Sequence, residues 1–132
     1  MLVRALAMLL VLPSGACSIS GFLPDWSSPD VAGSEPAYRF IIANSIGGIV
    51  GSAAAAGTFE ISALRRVDSL KGPSWLVCIR TQNFPQLPHY YAVFLQNEKV
   101  VNSRLSVLID QCEMQTYLQF DWIADANTPP VR

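Results

Sequence analysis

Arg4 is followed by an uncharged apolar run from Ala5 to Leu12, which Pro13-Ser14-Gly15-Ala16 closes with small residues. Those three parts make up a secretory signal, predicted here to cover residues 1–16. The run is far shorter than the roughly 20 residues a helix needs to span a bilayer, so it reads as a cleaved leader rather than an anchor. Two constraints on folding follow. The first 16 residues take no part in the mature fold, and the rest folds outside the cytoplasm, where cysteines can be oxidised. A chain of 132 residues then suffices for one domain with a buried core. With 51% hydrophobic residues it is not a disordered chain, and Lys+Arg 9 against Asp+Glu 10 leaves a net charge of -1. That balance predicts neither a nucleic-acid footprint nor a polybasic membrane patch.

Cys17 directly follows Gly15-Ala16, which resembles the lipobox of bacterial lipoproteins, where the cysteine is lipidated and becomes the mature N-terminus. The same Ser14-Gly15-Ala16 also suits ordinary signal peptidase, which would leave a soluble periplasmic or secreted protein with Cys17 free or paired. Cysteine parity favours lipidation of Cys17, because Cys78 and Cys112 then remain as an even pair in an oxidising compartment. A bridge between them would close a loop of 34 positions (112 − 78), worth roughly 3 to 4 kcal/mol in the chain-entropy model. The alternative is two buried, unpaired thiols.

Residues 17–35 are rich in Ser, Gly and Pro and read as a flexible tether. Phe22, Leu23 and Trp26 interrupt its polarity, so part of it is expected to fold back onto the domain. Residues 36–126 form a single α+β domain, and residues 127–132, with Pro129-Pro130, a disordered tail. Ser34-Glu35-Pro36 is a helix start, and Tyr38, Ile41, Ile42, Ile46 and Ile49 give one apolar stripe. A helix from about Pro36 to Ala55 is predicted, with Gly47-Gly48 and Gly51 marking a kink or close packing on a sheet. A rival reading is a small envelope protein anchored by a transmembrane helix. Phe40 to Phe59 is uncharged, with Gly47 and Gly51 at the spacing of a membrane-helix dimer motif. Asn44, Ser45, Ser52, the glycines and Ala53 to Ala56 oppose insertion.

From Phe59 the period becomes that of strands. Glu60 to Leu64 alternates, Gly72-Pro73 turns, and Trp75, Val77 and Ile79 share one face while Leu76 and Cys78 share the other. Phe84 to Pro88 is a proline-bounded loop. Tyr90 to Gln96 suits a central strand, Asn97-Glu98 turns it into Lys99 to Leu105, and Val107 to Ile109 and Thr116 to Trp122 supply one or two more strands. The expected architecture is one N-terminal helix packed on a four- to five-stranded antiparallel sheet.

Several stretches resemble a family of small, uncharacterised envelope lipoproteins of Gram-negative bacteria. They are Glu60-Ile61-Ser62-Ala63-Leu64-Arg65, then Gly72-Pro73 with Trp75, Cys78 and Arg80. Tyr91-Ala92-Val93-Phe94 follows, and then Val101 and Ser103-Arg104-Leu105 through Asp110 to Cys112. The resemblance implies export, lipidation at Cys17 and a Cys78–Cys112 bridge, and no known activity.

The residues themselves name no reaction. Serine or cysteine nucleophiles need a base, and His89, the single histidine, reads as a strand-edge or loop residue. It lacks companions for a zinc site. Asp110 with Glu113, or Asp121 with Asp125, are carboxylate pairs by sequence only. Asp110 reads as capping a turn or pairing with Arg104 or Arg80. No phosphate-binding glycine loop is present. Arg65-Arg66, Lys71, Arg80 and Arg104 interleave with Trp75, Tyr90 and Tyr91, which reads mainly as solvated strand faces beside core aromatics. The expectation is a non-enzymatic envelope protein without catalytic, cofactor or metal residues. It would be lipid-anchored in the periplasm or at the outer membrane, with a structural role or one in binding another envelope macromolecule. An inhibitor of a periplasmic or secreted hydrolase, presenting Phe84-Pro85-Gln86-Leu87-Pro88, is the alternative.

Overall fold

The computed structural model describes residues 32–51, 57–82 and 87–131. Helix α1, Tyr38–Val50, precedes strands β1 Thr58–Ser62, β2 Arg65–Ser69, β3 Gly72–Gln82, β4 His89–Gln96 and β5 Lys99–Leu105. Two single 3-10 turns, Leu108–Asp110 and Cys112–Met114, lead into β6 Tyr117–Phe120 and a short α2, Trp122–Ala126. The signal at 1–16, Cys17 and most of the tether lie outside the described residues.

The fold is α+β with an antiparallel sheet, but the sheet has 6 strands, ordered β5-β4-β3-β1-β6, with β2 also paired to β3. The extra strand is β2. Its sequence, Arg65 to Ser69, lacks an apolar alternation because only one of its edges is covered. It reaches strand geometry by pairing Arg65 with Leu76 through Ser69 with Gly72. β3 is long enough, at 11 residues, to take β1 along its C-terminal half and β2 along its N-terminal half. Between them Ser62 turns its hydroxyl onto the Cys78 N–H at 2.9 Å, bridging the gap where Ala63 and Leu64 leave the ladder.

The single expected helix is likewise corrected to two. At α2, Asp121 accepts from the Ala124 N–H at 3.1 Å, which ends the β6 strand and starts a helix where the sequence suggested continued strand. Arg39 of α1 then grips Asp125 of α2 through Nη2 at 2.8 Å and Nε at 3.2 Å. α1 itself is shorter than the expected 36–55. Ala37 rather than Ser34 stands at its start, without a side-chain cap, and Gly51 at φ 77° ends it. A 13-residue helix rises about 20 Å, short of the ~30 Å hydrocarbon core. No helix among the described residues is long and apolar enough to cross a membrane, and α1 ends at Val50, inside the 40–59 stretch.

Both faces of the sheet are covered, unequally. Phe59, Ile61, Val77, Ile79, Val93, Leu95 and Phe120 form the main core with Ile42, Ala43, Ile46, Ile49 and Val50 of α1. Leu76, Cys78, Ala92 and Phe94 point the other way and meet Cys112. This alternation along β3 is the one expected from Trp75 to Ile79. Asn97 and Glu98, at φ 48° and 61°, make the expected tight hairpin between β4 and β5. At the β2–β3 turn the reversal falls at Leu70-Lys71. Gly72, at φ 95°, opens β3, and Pro73 sits inside the strand opposite Asp68.

Candidate functional site

The second face of the sheet is covered mainly by the connection from Ser106 to Gln115. Val107 to Ile109 was expected to form a strand. Instead the chain coils, because the Asp110 carboxylate accepts from the Val107 N–H at 2.9 Å and holds Leu108–Asp110 as a 3-10 turn. The same carboxylate is 4% exposed and takes both ends of the Arg104 guanidinium, at 2.6 and 2.8 Å. A planar two-point pair of this kind fixes orientation as well as position. Arg65 donates to the Asp110 carbonyl from β2. Gln111 adopts φ 54° between the two turns, and Cys112 is joined to Cys78 by a disulfide with the Cα atoms 5.5 Å apart. Tyr117 donates its hydroxyl to the Cys112 carbonyl at 2.6 Å, and burial holds its pKa above the ordinary tyrosine value.

What this anchored connection displays is apolar. Leu108 and Ile109 are 93% and 82% exposed, and Met114 and Val107 also face solvent. Across from Ile109, Leu70 projects fully from the β2–β3 turn. Between them lies a cavity of about 560 Å³ whose floor is Val67, Leu76 and Phe94 and whose rim includes Lys71 and Asp68. Arg104 lies over the Phe94 ring, 5.3 Å from its centroid, and the Lys71 ammonium donates to the Val101 carbonyl at 3.0 Å.

The residues singled out from sequence fall as follows. Cys78 and Cys112 are bonded. Asp110 pairs with Arg104 and caps a turn, both of the uses expected of it, and Glu113 is exposed beside it. Asp121 caps α2 and Asp125 pairs with Arg39, so that pair of carboxylates serves the helical layer. His89 is exposed at the start of β4. Among the described residues no three His, Cys, Asp or Glu side chains come together as a metal set would. The basic and aromatic residues do interleave. Arg66 lies 4.9 Å from the Trp75 ring and Arg80 4.7 Å from that of Tyr117. Arg80 is held by Glu60, Nε to Oε2 at 2.5 Å, and that hydrogen bond draws the Glu60 pKa below the usual carboxylate value. Of the proline-bounded loop, residues 83–86 lie outside the described residues, while Leu87 and Pro88 are exposed.

Sequence reasoning missed the display of Leu108 and Ile109. Three consecutive apolar residues look like strand, and the available signal was Asp110, three positions after Val107 and able to cap it. Comparison with protein-family models, with characterised proteins and with solved structures finds no match.

Proposed function

We propose that this chain is an exported envelope protein, lipid-anchored through Cys17, that binds another protein without catalysis through the turn carrying Leu108 and Ile109. One observation carries the reading. The turn's backbone is held by a buried carboxylate, an arginine donor and a disulfide, while its large apolar side chains face water. Exposed apolar clusters mark interaction surfaces, and a surface ordered before binding loses little conformational freedom on association. Of the four carboxylates that could have served acid–base chemistry, Asp110, Asp121 and Asp125 are engaged in structural pairs and caps, and Glu113 is exposed. The disulfide fits the oxidising compartment to which the signal directs the chain.

Site-specific photo-crosslinking in intact envelopes tests this. A photoreactive residue at position 108 is expected to give an adduct of defined mass. One at Asn44, on the exposed side of α1, should give none, and Ile109→Asp should abolish the 108 adduct. Equal labelling from both positions, or none from 108, would refute the docking role.

A further inference from the structure

The cavity between Leu70 and Ile109 has the build of a ligand groove rather than of a bare apolar patch. Its floor of Val67, Leu76 and Phe94 belongs to the apolar layer on the sheet face opposite α1. Its volume, about 560 Å³, lies within the roughly 300–1,000 Å³ usual for small-molecule sites. We propose that it binds a fatty acid, with the acyl chain along the apolar floor and the carboxylate on the Lys71 ammonium. The inference stands apart from the docking reading, since it needs the groove and Lys71 but no protein partner.

Strand pairing sets the shape. β2 contributes Val67 and Ser69 to the groove, β3 Leu76, β4 Phe94, and β5 Asn102 and Arg104. Leu76 stands opposite Phe94 and Phe94 opposite Asn102, so one face carries them all. The groove therefore crosses four strands, three inter-strand steps or about 14 Å, a trough that suits a linear chain. Leu70 and Ile109 stand at its sides with most of their surface toward solvent. An apolar chain laid between them removes that surface, and the floor's, from water.

Charge selects the head group. Val101 falls in the irregularity of the β4–β5 ladder, where Phe94 pairs with Asn102 but Leu95 with Val100, and its carbonyl accepts from the Lys71 ammonium at 3.0 Å. That bond holds the ammonium beside the floor and leaves two of its three N–H donors without a partner among the described residues. No carboxylate pairs with Lys71 among those residues. Arg104, the other cation lining the groove, is taken at both ends by Asp110, so that pair adds no net charge. Asp68 follows Arg66 by two positions in β2, and alternation turns its side chain, like that of Arg66, toward the Trp75 face. One uncompensated positive charge beside an apolar floor complements a monoanion that carries an apolar chain. A carboxylate meets the two remaining donors with charge-assisted hydrogen bonds, whereas a phosphate monoester would bring nearly twice the charge.

Both sides of the groove are ordered in advance. The Asp110 pair, the Arg65 donor and the disulfide hold the turn that carries Ile109. On the other side Gln96 of β4 donates to the Lys71 and Pro73 carbonyls at 3.0 Å, which fixes the β2–β3 turn that carries Leu70 and Lys71. A site formed in this way loses little conformational freedom when a ligand enters.

Calorimetric titration of the mature chain with sodium laurate, kept below its micelle-forming concentration at neutral pH, tests the site. One laurate per chain is expected, and decanoate, shorter by two methylenes, should bind about tenfold more weakly. Leu70→Asp and Ile109→Asp should each weaken laurate by about tenfold or more. Lys71→Gln should weaken laurate while leaving dodecanol, the uncharged alcohol of the same chain length, unchanged. All three substitutions replace exposed side chains, and an unchanged urea midpoint reports an intact fold. In the unsubstituted chain, NMR should show contacts between laurate methylenes and the Phe94 ring, a readout that needs no variant. The proposal is overturned by the absence of saturable binding below the micelle-forming concentration, or by no contact to Phe94. Laurate binding that both aspartate variants leave intact overturns it too. Equal effects of Lys71→Gln on laurate and dodecanol overturn the assignment of the carboxylate to Lys71, and with it the ligand class.

Discussion

Replacing both bridging cysteines with alanine separates what the disulfide contributes from what packing contributes. Cys78 and Cys112 are 0% and 1% exposed, so alanine leaves only small cavities and no unsatisfied polar group. The main loss is the constraint on the unfolded chain. For a 34-residue separation, loop-closure entropy gives about 4 kcal/mol. Against the 5–15 kcal/mol typical of small domains, that is between a quarter and most of the total. With a urea slope of about 1 to 1.5 kcal/mol/M, the unfolding midpoint should fall by about 2.7 to 4 M. Because both sulfurs are buried, mild reductant should leave the folded wild type bridged and reduce it only with unfolding. Urea melts of the mature domain and thiol counting before and after unfolding measure both effects. A midpoint drop below about 1 M, or two titratable thiols in unreduced unfolded protein, would refute the account.

Two further outcomes are expected. The hydrogen bond from Arg80 lowers the Glu60 pKa, so its contribution to stability is present above the ordinary carboxylate pKa of 4.5 and is lost as pH falls through the lower folded value. Glu60→Gln should therefore melt below wild type at neutral pH, by less than about 1 kcal/mol for so accessible a pair. The two melting curves should converge as pH falls below the folded-state value, and a gap independent of pH would contradict the assignment. Gly47 and Gly48 lie within α1, exposed, and an added Cβ would meet nothing within 4 Å at either. Alanine at each should raise stability by about 0.5–1 kcal/mol, seen as a higher Tm. A loss would reveal a neighbour packed on that side of the helix.

The parts of the fold that were legible obeyed a period. α1 showed itself through Ile42, Ile46 and Ile49, and the two faces of β3 through Val77 and Ile79 against Leu76 and Cys78, because burial on one side imposes a repeat the eye can count. Arg65 to Ser69 hid its strand character since its side chains need satisfy only one neighbour, β3, and an edge tolerates charge. Gly47 and Gly48, expected to mark a kink or close packing on the sheet, are exposed with open space beside them, for sequence cannot tell a glycine that admits a neighbour from one that merely faces water. Val107 to Ile109 failed for a different reason. Their apolar run matched a strand, and the deciding force was a capping and ion-pair arrangement at Asp110 whose partner Arg104 was foreseen but whose effect on the backbone was not.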